Sequence, residues 1–75
     1  MKKIRAGQLV RVKPGLSEDD WRDFGGDRDH PVDTMVDMAG SAIEIYAVRD
    51  TGWIIAGGWK WHPDWLTDLD GEPIQ

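Results

Sequence analysis

Hydrophobic and polar residues alternate along two well-separated stretches of the chain, and alternation with a period of two residues predicts β-strands. In the first stretch, Val10 and Val12 lie on one side and basic residues on the other, before a Pro-Gly turn. In the second stretch, residues 41–50, Ile43 and Ile45 share one side. Because successive side chains point to opposite faces of a sheet, each stretch is predicted to bury one face only.

A β-hairpin is predicted where two short apolar stretches are separated by Gly57 and Gly58. Two glycines in this position favour a type I′ turn, since both central residues of that turn need positive φ. A two-residue turn also sets how the flanking strands pair. The expected cross-strand pairs are Ala56 with Trp59, Ile54 with Trp61, and Trp53 with His62.

This pairing divides the aromatic residues of the hairpin between two faces. Trp59 and Trp61 share a face with Ile54, and we expect that face to join the core. Trp53 lies on the opposite face beside Lys60, whose charge indicates the exposed side of the sheet.

The remaining segments predict turns and one long loop. Residues 16–36 lose the alternation and hold many acids, two glycines and a proline, which predicts a long acidic loop after the first strand. Ser17 is a suitable N-cap for one helical turn near its start. Residues 63–69 predict a 3₁₀ turn and a final short strand, with Trp65 folded back over one end of the barrel. The turn at residues 49–52 leaves the register of the preceding strand open.

The chain has 75 residues, of which five are tryptophan and none is cysteine. A domain this small buries little apolar area, and no disulfide can stabilise it, so large aromatic side chains must supply much of the core. We predict one all-β domain over residues 1–75, a small five-stranded barrel folded from about residue 7 to 69, with a basic N-terminal arm and a polar C-terminal tail. The predicted core residues are Val10, Val12, Ile43, Ile45, Ile54, Trp59, Trp61 and Leu66.

Charge is distributed unevenly along the chain, whose net charge is −5. Residues 1–17 carry five basic side chains and no acidic one, whereas residues 18–37 carry eight acids against two arginines. An acidic surface repels phosphate, so direct nucleic-acid binding is not expected. The chain also lacks a secretory hydrophobic stretch and any segment of membrane-spanning length, which predicts a cytoplasmic protein without membrane contacts.

No cluster of residues predicts catalysis, a metal site or a cofactor. His30 and His62 are far apart, each is followed by proline, and no serine or threonine lies in a known nucleophile motif. The acids around His30 miss the spacing of a calcium-binding loop, because Pro31 stands at the fifth position. Both Gly-Gly pairs lack the spacing of phosphate-binding loops. The sequence therefore predicts a protein that is not an enzyme, and solvated side chains are the simplest interpretation of the acidic loop.

The order of these features resembles the small SH3-like barrels related to the Mind bomb-type SH3 repeat, whose stand-alone versions are typical of bacteria and bacteriophages. The likeness covers residues 10–66, with "VRV", "FGG", "AIEI", "GWII" and "GGWKWHPDWL" in that order. Its most specific part is carried by Trp59, Trp61, Trp65 and Leu66. The length of the acidic loop, its extra Trp21 and Pro63 depart from the pattern. The resemblance implies a five-stranded SH3-like barrel that binds protein segments and has no catalytic residues.

A binding surface is predicted between the acidic loop and the outer face of the hairpin. Exposed tryptophans act as recognition anchors, and neighbouring acids favour a basic peptide or protein segment. For Trp21, exposure in this surface and burial as a plug of the barrel fit the sequence equally well. The predicted binding residues are Asp19, Asp20, Trp21, Asp23, Tyr46, Trp53 and Lys60.

Other functions also fit this composition. A small acidic protein can imitate nucleic-acid phosphates and inhibit a DNA-binding protein or nuclease of the host. It can also act as a structural or assembly component, although we expect a monomer. A narrower version of the binding hypothesis is an aromatic cage for a methylated cation, built from Tyr46, Trp53 and Trp61.

Overall fold

The computed structural model describes residues 4–74, which form a mostly β structure with one short helix. Its elements are β1 (Leu9–Val12), β2 (Arg22–Phe24), β3 (Asp27–Asp29), α1 (Asp33–Asp37), β4 (Ala42–Val48), β5 (Ile54–Ala56), β6 (Trp59–Trp61), a 3₁₀ turn (Pro63–Trp65) and β7 (Leu66–Thr67). The basic arm at residues 1–3 lies outside the described residues. Within the described residues, no helix is long and apolar enough to cross a membrane.

Five antiparallel strands curl strongly into a half-barrel, in the order β6-β5-β4-β1-β7. Strands β2 and β3 form a separate two-stranded sheet. The predicted all-β class, the five strands and the 3₁₀ turn before the last strand are confirmed. The strands are short because each one ends at a turn that contains glycine or proline.

The β5–β6 hairpin has the predicted register, with Ala56 opposite Trp59 and Ile54 opposite Trp61. Gly57 and Gly58 have φ angles of 58° and 82°, as a type I′ turn requires. Trp59 is predicted to be a core residue, but this prediction is wrong, because its side chain is 37% exposed. It shares the inner face of the sheet but lies on the edge strand beside the turn, where the barrel offers fewer neighbours to cover it.

The core lies inside the curl of the sheet, and most of its predicted members are confirmed. The predicted residues that are buried there are Val10, Val12, Ile45, Ile54, Trp61 and Leu66. Ile43 is only partly buried and packs against them. The core also includes Ala56, from the predicted inner face of the hairpin, and Trp65, which is predicted to fold over one end of the barrel. Its other members, which the sequence analysis does not place there, are Leu16, Met35, Trp53 and Ile74.

Trp53 is the largest correction to the predicted core, because its side chain is 1% exposed rather than lying on an outer face. The alternation that separates Trp53 from Ile54 is present, but another part of the chain covers its face of the sheet. The ring of Phe24, from β2, packs edge-on against Trp53 with the ring centroids 5.1 Å apart. A tryptophan on the outward face of the hairpin is therefore buried in the folded protein.

Residues 16–36 are more ordered than the predicted long loop. They contain the β2–β3 hairpin and end in α1. The predicted helical turn at Ser17 is replaced by a tight turn, in which the Asp20 amide donates to the Ser17 carbonyl at 3.1 Å. The Ser17 hydroxyl also accepts a hydrogen bond from the Asp19 amide at 3.2 Å, and Ser17 does not cap a helix. Local bonds of this kind compete with helix formation.

The C-terminal segment folds back onto the barrel, so the ordered structure extends beyond the predicted limit at residue 69. Ile74 is 3% exposed and belongs to the core. Pro73 forms an isolated bridge with Thr67 of β7, and the Asp68 amide donates to the Glu72 carbonyl at 2.8 Å. The segment thereby covers one edge of the half-barrel.

Candidate functional site

The structure separates the residues predicted to form one binding surface. Tyr46 is 80% exposed on the outer side of β4. Trp53 and Lys60 meet beneath the β2–β3 hairpin, where the Lys60 amine lies 4.7 Å from the Trp53 ring centroid. Trp21 and Asp23 border a single cleft at the β2–β3 hairpin. Trp53 and Lys60 also border a separate open cleft of about 580 Å³, together with Asp27 and residues 48–51. The predicted surface is therefore divided between two clefts, and only the cleft at the β2–β3 hairpin contains an exposed tryptophan.

The β2–β3 hairpin has two faces with different roles. Gly25 and Gly26, with φ angles of 57° and 99°, connect the strands, and Asp23 lies opposite Arg28. Since alternate residues share a face, the pairing assigns each side chain to one side. The outer face carries Trp21, Asp23, Arg28 and His30, and the inner face carries Arg22, Phe24, Asp27 and Asp29.

The inner face attaches the hairpin to the barrel through Lys60. Its amine lies 3.5 Å from an Asp27 carboxylate oxygen and 3.4 Å from one of Asp29. The same amine lies over the Trp53 ring, against which Phe24 packs. Two carboxylates and an aromatic face thus hold one ammonium group, so the charge of Lys60 is engaged by the protein itself, although a third of the side chain stays exposed.

Asp20 also has an internal role, whereas Asp19 is exposed at the preceding turn. The Asp20 carboxylate forms an ion pair with the Arg22 guanidinium, at 2.7 Å between Nη1 and Oδ1. The Lys13 amine lies 4.0 Å from the other carboxylate oxygen. The backbone carbonyl of Asp20 accepts a hydrogen bond from the indole nitrogen of Trp65 at 2.9 Å. These contacts fasten the start of the acidic segment to the core. They leave Asp20 less available to bind a partner than the sequence suggested.

His62 is buried among aromatic rings where the hairpin meets the barrel. Its ring stacks on Phe24 with centroids 4.4 Å apart, and its Nδ1 atom accepts a hydrogen bond from the Asp64 amide at 3.0 Å. Burial is the largest influence on this side chain and lowers the pKa of His62 below its ordinary value of 6.5. The Asp64 carboxylate acts in the opposite direction but does not outweigh burial. The folded protein therefore favours the neutral imidazole.

We expect acidification to destabilise the protein through His62. Because the pKa of His62 is lower in the folded state, the unfolded chain binds a proton first as the pH falls below 6.5. The free energy of unfolding then decreases, whereas at higher pH both states hold a neutral ring and the effect disappears. Urea unfolding between about pH 7.5 and about pH 5.5 measures this dependence.

The control for this pH dependence is His62→Asn, whose side-chain oxygen can still accept a hydrogen bond from the Asp64 amide. This variant should show a flatter pH dependence than the wild type over the same range, because it has no group that titrates at this position. An equally steep dependence in the variant would contradict the assignment to His62.

Trp21 lies on the outer face of the hairpin and is 43% exposed. The His30 ring lies 4.3 Å from it between centroids, and the Arg28 guanidinium carbon lies 4.7 Å from its centroid. The His30 ring is itself held, since its Nδ1 atom donates to the Pro31 carbonyl at 2.9 Å. Trp21 is therefore neither a plug of the barrel nor a free side chain. Neighbours restrain its ring while much of its surface faces solvent.

Trp21 borders a cleft of about 460 Å³ between the hairpin and the 3₁₀ turn, which we call the hairpin cleft. It is lined by Trp21, Arg22, Asp23, Arg28, His62 and Asp64. An adjoining groove of about 540 Å³ has a more apolar wall, and we call it the proline groove. Its wall includes Pro14, Pro63, Leu66, Pro73 and Ile74.

One ion pair lies between the hairpin cleft and the proline groove. Arg22 and Asp64 line both cavities, and the Arg22 Nε atom donates to the Asp64 carboxylate at 3.2 Å. The Asp23 carboxylate has no ion pair within residues 4–74 and is exposed. The two cavities therefore form neighbouring parts of one surface, with an aromatic end, a charged middle and an apolar end.

Four residues that line the hairpin cleft are not among the predicted binding residues, namely Arg22, Arg28, His62 and Asp64. Arg22 and Arg28 could have been found from the sequence, because "FGGD" repeats the Gly-Gly hairpin pattern of residues 57–58. Reading it would have placed Arg28 opposite Asp23. The contribution of Asp64 depends on the packing of distant segments, which leaves no local pattern.

The positions of the side chains also bear on two narrower hypotheses, an aromatic cage for a methylated cation and a metal site. Trp53 and Trp61 are both buried, so they cannot surround a cation together with the exposed Tyr46. Among residues 4–74, no group of three or more histidine, aspartate or glutamate side chains is placed to hold a metal ion.

Comparison with protein-family models, with curated proteins and with solved structures finds no match for this chain.

Proposed function

We propose that this protein is a non-enzymatic protein-interaction module, and that the hairpin cleft with the proline groove is its binding surface. The observation that carries the proposal is the restrained and exposed indole of Trp21 at the wall of a cleft. An aromatic ring held by its neighbours loses little conformational entropy on binding, which makes it a favourable anchor.

The shape of the surface favours an extended segment of a partner. The hairpin cleft offers an aromatic wall, and the proline groove offers apolar contacts beyond the Arg22–Asp64 ion pair. Extended peptides are commonly bound in this manner, with main-chain groups following a groove and side chains entering separate pockets. We further propose that the half-barrel is of the SH3-like kind and that the protein acts in the cytoplasm.

The charges around Trp21 favour a basic partner. Asp19 and Asp23 are exposed on the same segment, and neither carboxylate has an ion pair within the described part of the chain. The inhibitor hypothesis has less support, because Asp20 is paired with Arg22, and Asp27 and Asp29 share the amine of Lys60. Acids engaged in this way present a weaker imitation of a phosphate row.

The proposal predicts that Trp21→Ala abolishes capture of a partner. The tagged protein would be incubated with a bacterial lysate, eluted with a salt gradient, and the bound proteins identified by mass spectrometry. Loss of the Trp21 anchor should lower the affinity for a specific partner at least tenfold, about 1.4 kcal/mol. The matched control is Tyr46→Ala, which removes an exposed aromatic ring that does not line either cavity.

A partner that is lost with Trp21→Ala and kept with Tyr46→Ala supports the proposed surface. A partner that is insensitive to both variants, elutes at low salt and processes DNA would contradict it and favour the acidic inhibitor. Dependence on Tyr46 alone would move the interaction to the outer side of β4.

A further inference from the structure

We propose that Arg28 occupies the position of a partner's cationic side chain, and that an arginine or lysine of the bound segment stacks on Trp21 in its place. This inference rests on the proposed function and names the chemistry that the hairpin cleft recognises. The Arg28 guanidinium carbon lies 4.7 Å from the Trp21 centroid, within the range of a cation–π contact. A cationic side chain of the protein itself thus already contacts the aromatic face that borders the cleft.

The register of the hairpin gives Arg28 another possible partner, which it does not take. Asp23 lies directly opposite Arg28 on the same face, yet the two side chains form no ion pair. The guanidinium lies over the indole instead, and the Asp23 carboxylate stays exposed at the edge of the cleft. A cation arriving from outside would therefore find an aromatic face and an acceptor carboxylate side by side.

Moving the Arg28 side chain away from Trp21 costs little free energy. The side chain is exposed and has no ion pair within residues 4–74, so the contact with Trp21 is the interaction that a competing cation must replace. Cation–π contacts at exposed sites are weak enough for an equivalent external cation to compete with them. Once displaced, Arg28 is free to return to solvent. The incoming cation gains both the ring and the Asp23 carboxylate.

The opposite arrangement would have Arg28 itself contact an acidic partner. The surroundings favour the cationic ligand, because Asp19 and Asp23 are exposed nearby and Asp64 also lines the cleft. Arg22, the other cation of the cleft, is already engaged by the carboxylates of Asp20 and Asp64. The net charge around the cleft is therefore negative, because four carboxylates (Asp19, Asp20, Asp23 and Asp64) outnumber the two guanidinium groups of Arg22 and Arg28.

The experiment measures binding of defined peptides by NMR, following the amide of Asp23 and, where present, the indole N–H of Trp21. The probes are a glycine peptide with arginine at alternate positions, the same peptide with neutral citrulline, and the same peptide with aspartate. In the wild type, the arginine peptide should shift both signals, and the citrulline peptide should not. Arg28→Gln should lower the Kd for the arginine peptide about two- to fivefold by removing the internal competitor.

The matched control is Arg49→Gln, which makes the same change in net charge at an exposed position away from the hairpin cleft. It accounts for long-range attraction of a basic peptide, so only the excess effect of Arg28→Gln counts. Trp21→Ala should weaken the arginine peptide severalfold in either background. Circular dichroism of each variant checks that the fold is retained.

If Arg28→Gln and Arg49→Gln changed the Kd for the arginine peptide equally, the proposal that a ligand cation displaces Arg28 would be wrong. Binding of the aspartate peptide that is lost with Arg28→Gln would overturn it as well, because Arg28 would then be the contact. The proposed function fails separately, when no lysate partner depends on Trp21. A Trp21-dependent partner together with arginine peptides that leave Trp21 unshifted would retain the module and exclude the cation site.

Discussion

Trp53→Ala is expected to lower the free energy of unfolding by about 3–5 kcal/mol, because it leaves a large cavity in the core. The side chain is 1% exposed and contacts the rings of Phe24 and His62. A small domain has a total stability of only about 5–15 kcal/mol, so the variant should be largely unfolded well below the melting temperature of the wild type. Urea unfolding followed by circular dichroism measures the loss.

Two exposed aromatic residues are the controls for Trp53. Trp21→Ala and Tyr46→Ala should each cost less than about 1 kcal/mol, since most surface substitutions have small effects. If Trp53→Ala cost no more than these, Trp53 would belong to an exposed surface, as the alternation in the sequence first indicated.

Conservative substitutions separate the polar and apolar contributions of the two buried tryptophans. The Trp61 indole nitrogen donates to the Ala56 carbonyl at 2.7 Å, whereas that of Trp53 is buried without a partner within the described residues. Trp53→Phe loses apolar area but also removes an unsatisfied donor, while Trp61→Phe loses a hydrogen bond worth about 1 kcal/mol. Trp53→Phe should therefore be the less destabilising of the pair.

Gly52→Ala is expected to lower the free energy of unfolding by about 2–4 kcal/mol, through backbone strain and overpacking together. Gly52 has a φ of 110°, which L side chains rarely adopt, and an added Cβ would lie 2.7 Å from the Phe24 ring. That ring cannot easily move, because it is stacked on His62 and packed against Trp53. The same unfolding measurement applies.

Gly71→Ala separates the two causes. Gly71 has a φ of 90°, but an added Cβ would have no atom within 4 Å. Its substitution should cost about 1–2 kcal/mol, since only the backbone strain applies. Equal losses for the two variants would show that the Phe24 ring yields, and that the hairpin is not held firmly against the barrel.

Much of the half-barrel could be predicted from local pattern. The β5–β6 register follows from two glycines between apolar stretches, and the burial of Val10, Val12 and Ile45 follows from alternation. These features depend on residues within a few positions of one another. The sequence therefore contains enough information to identify them.

The candidate site could be predicted only in part. Trp21 and Asp23 were identified as binding residues because an aromatic ring within an acidic segment is visible in the sequence. Lys60 and Trp53 were assigned to the same surface because they share a face of their own hairpin. The sequence could not indicate that Phe24, some thirty residues earlier, packs on that face and buries Trp53.

The sequence by itself determined the strands of the five-stranded sheet, the β5–β6 turn and most of the inner face, because steric limits on φ and the alternation of side chains act locally. Only the tertiary structure decided which outer faces stay exposed. The β2–β3 hairpin docks through Phe24 and Lys60, buries Trp53 and leaves Trp21 at the wall of a cleft. That choice depends on contacts between segments distant in sequence, whose free energy has no counterpart in any local pattern.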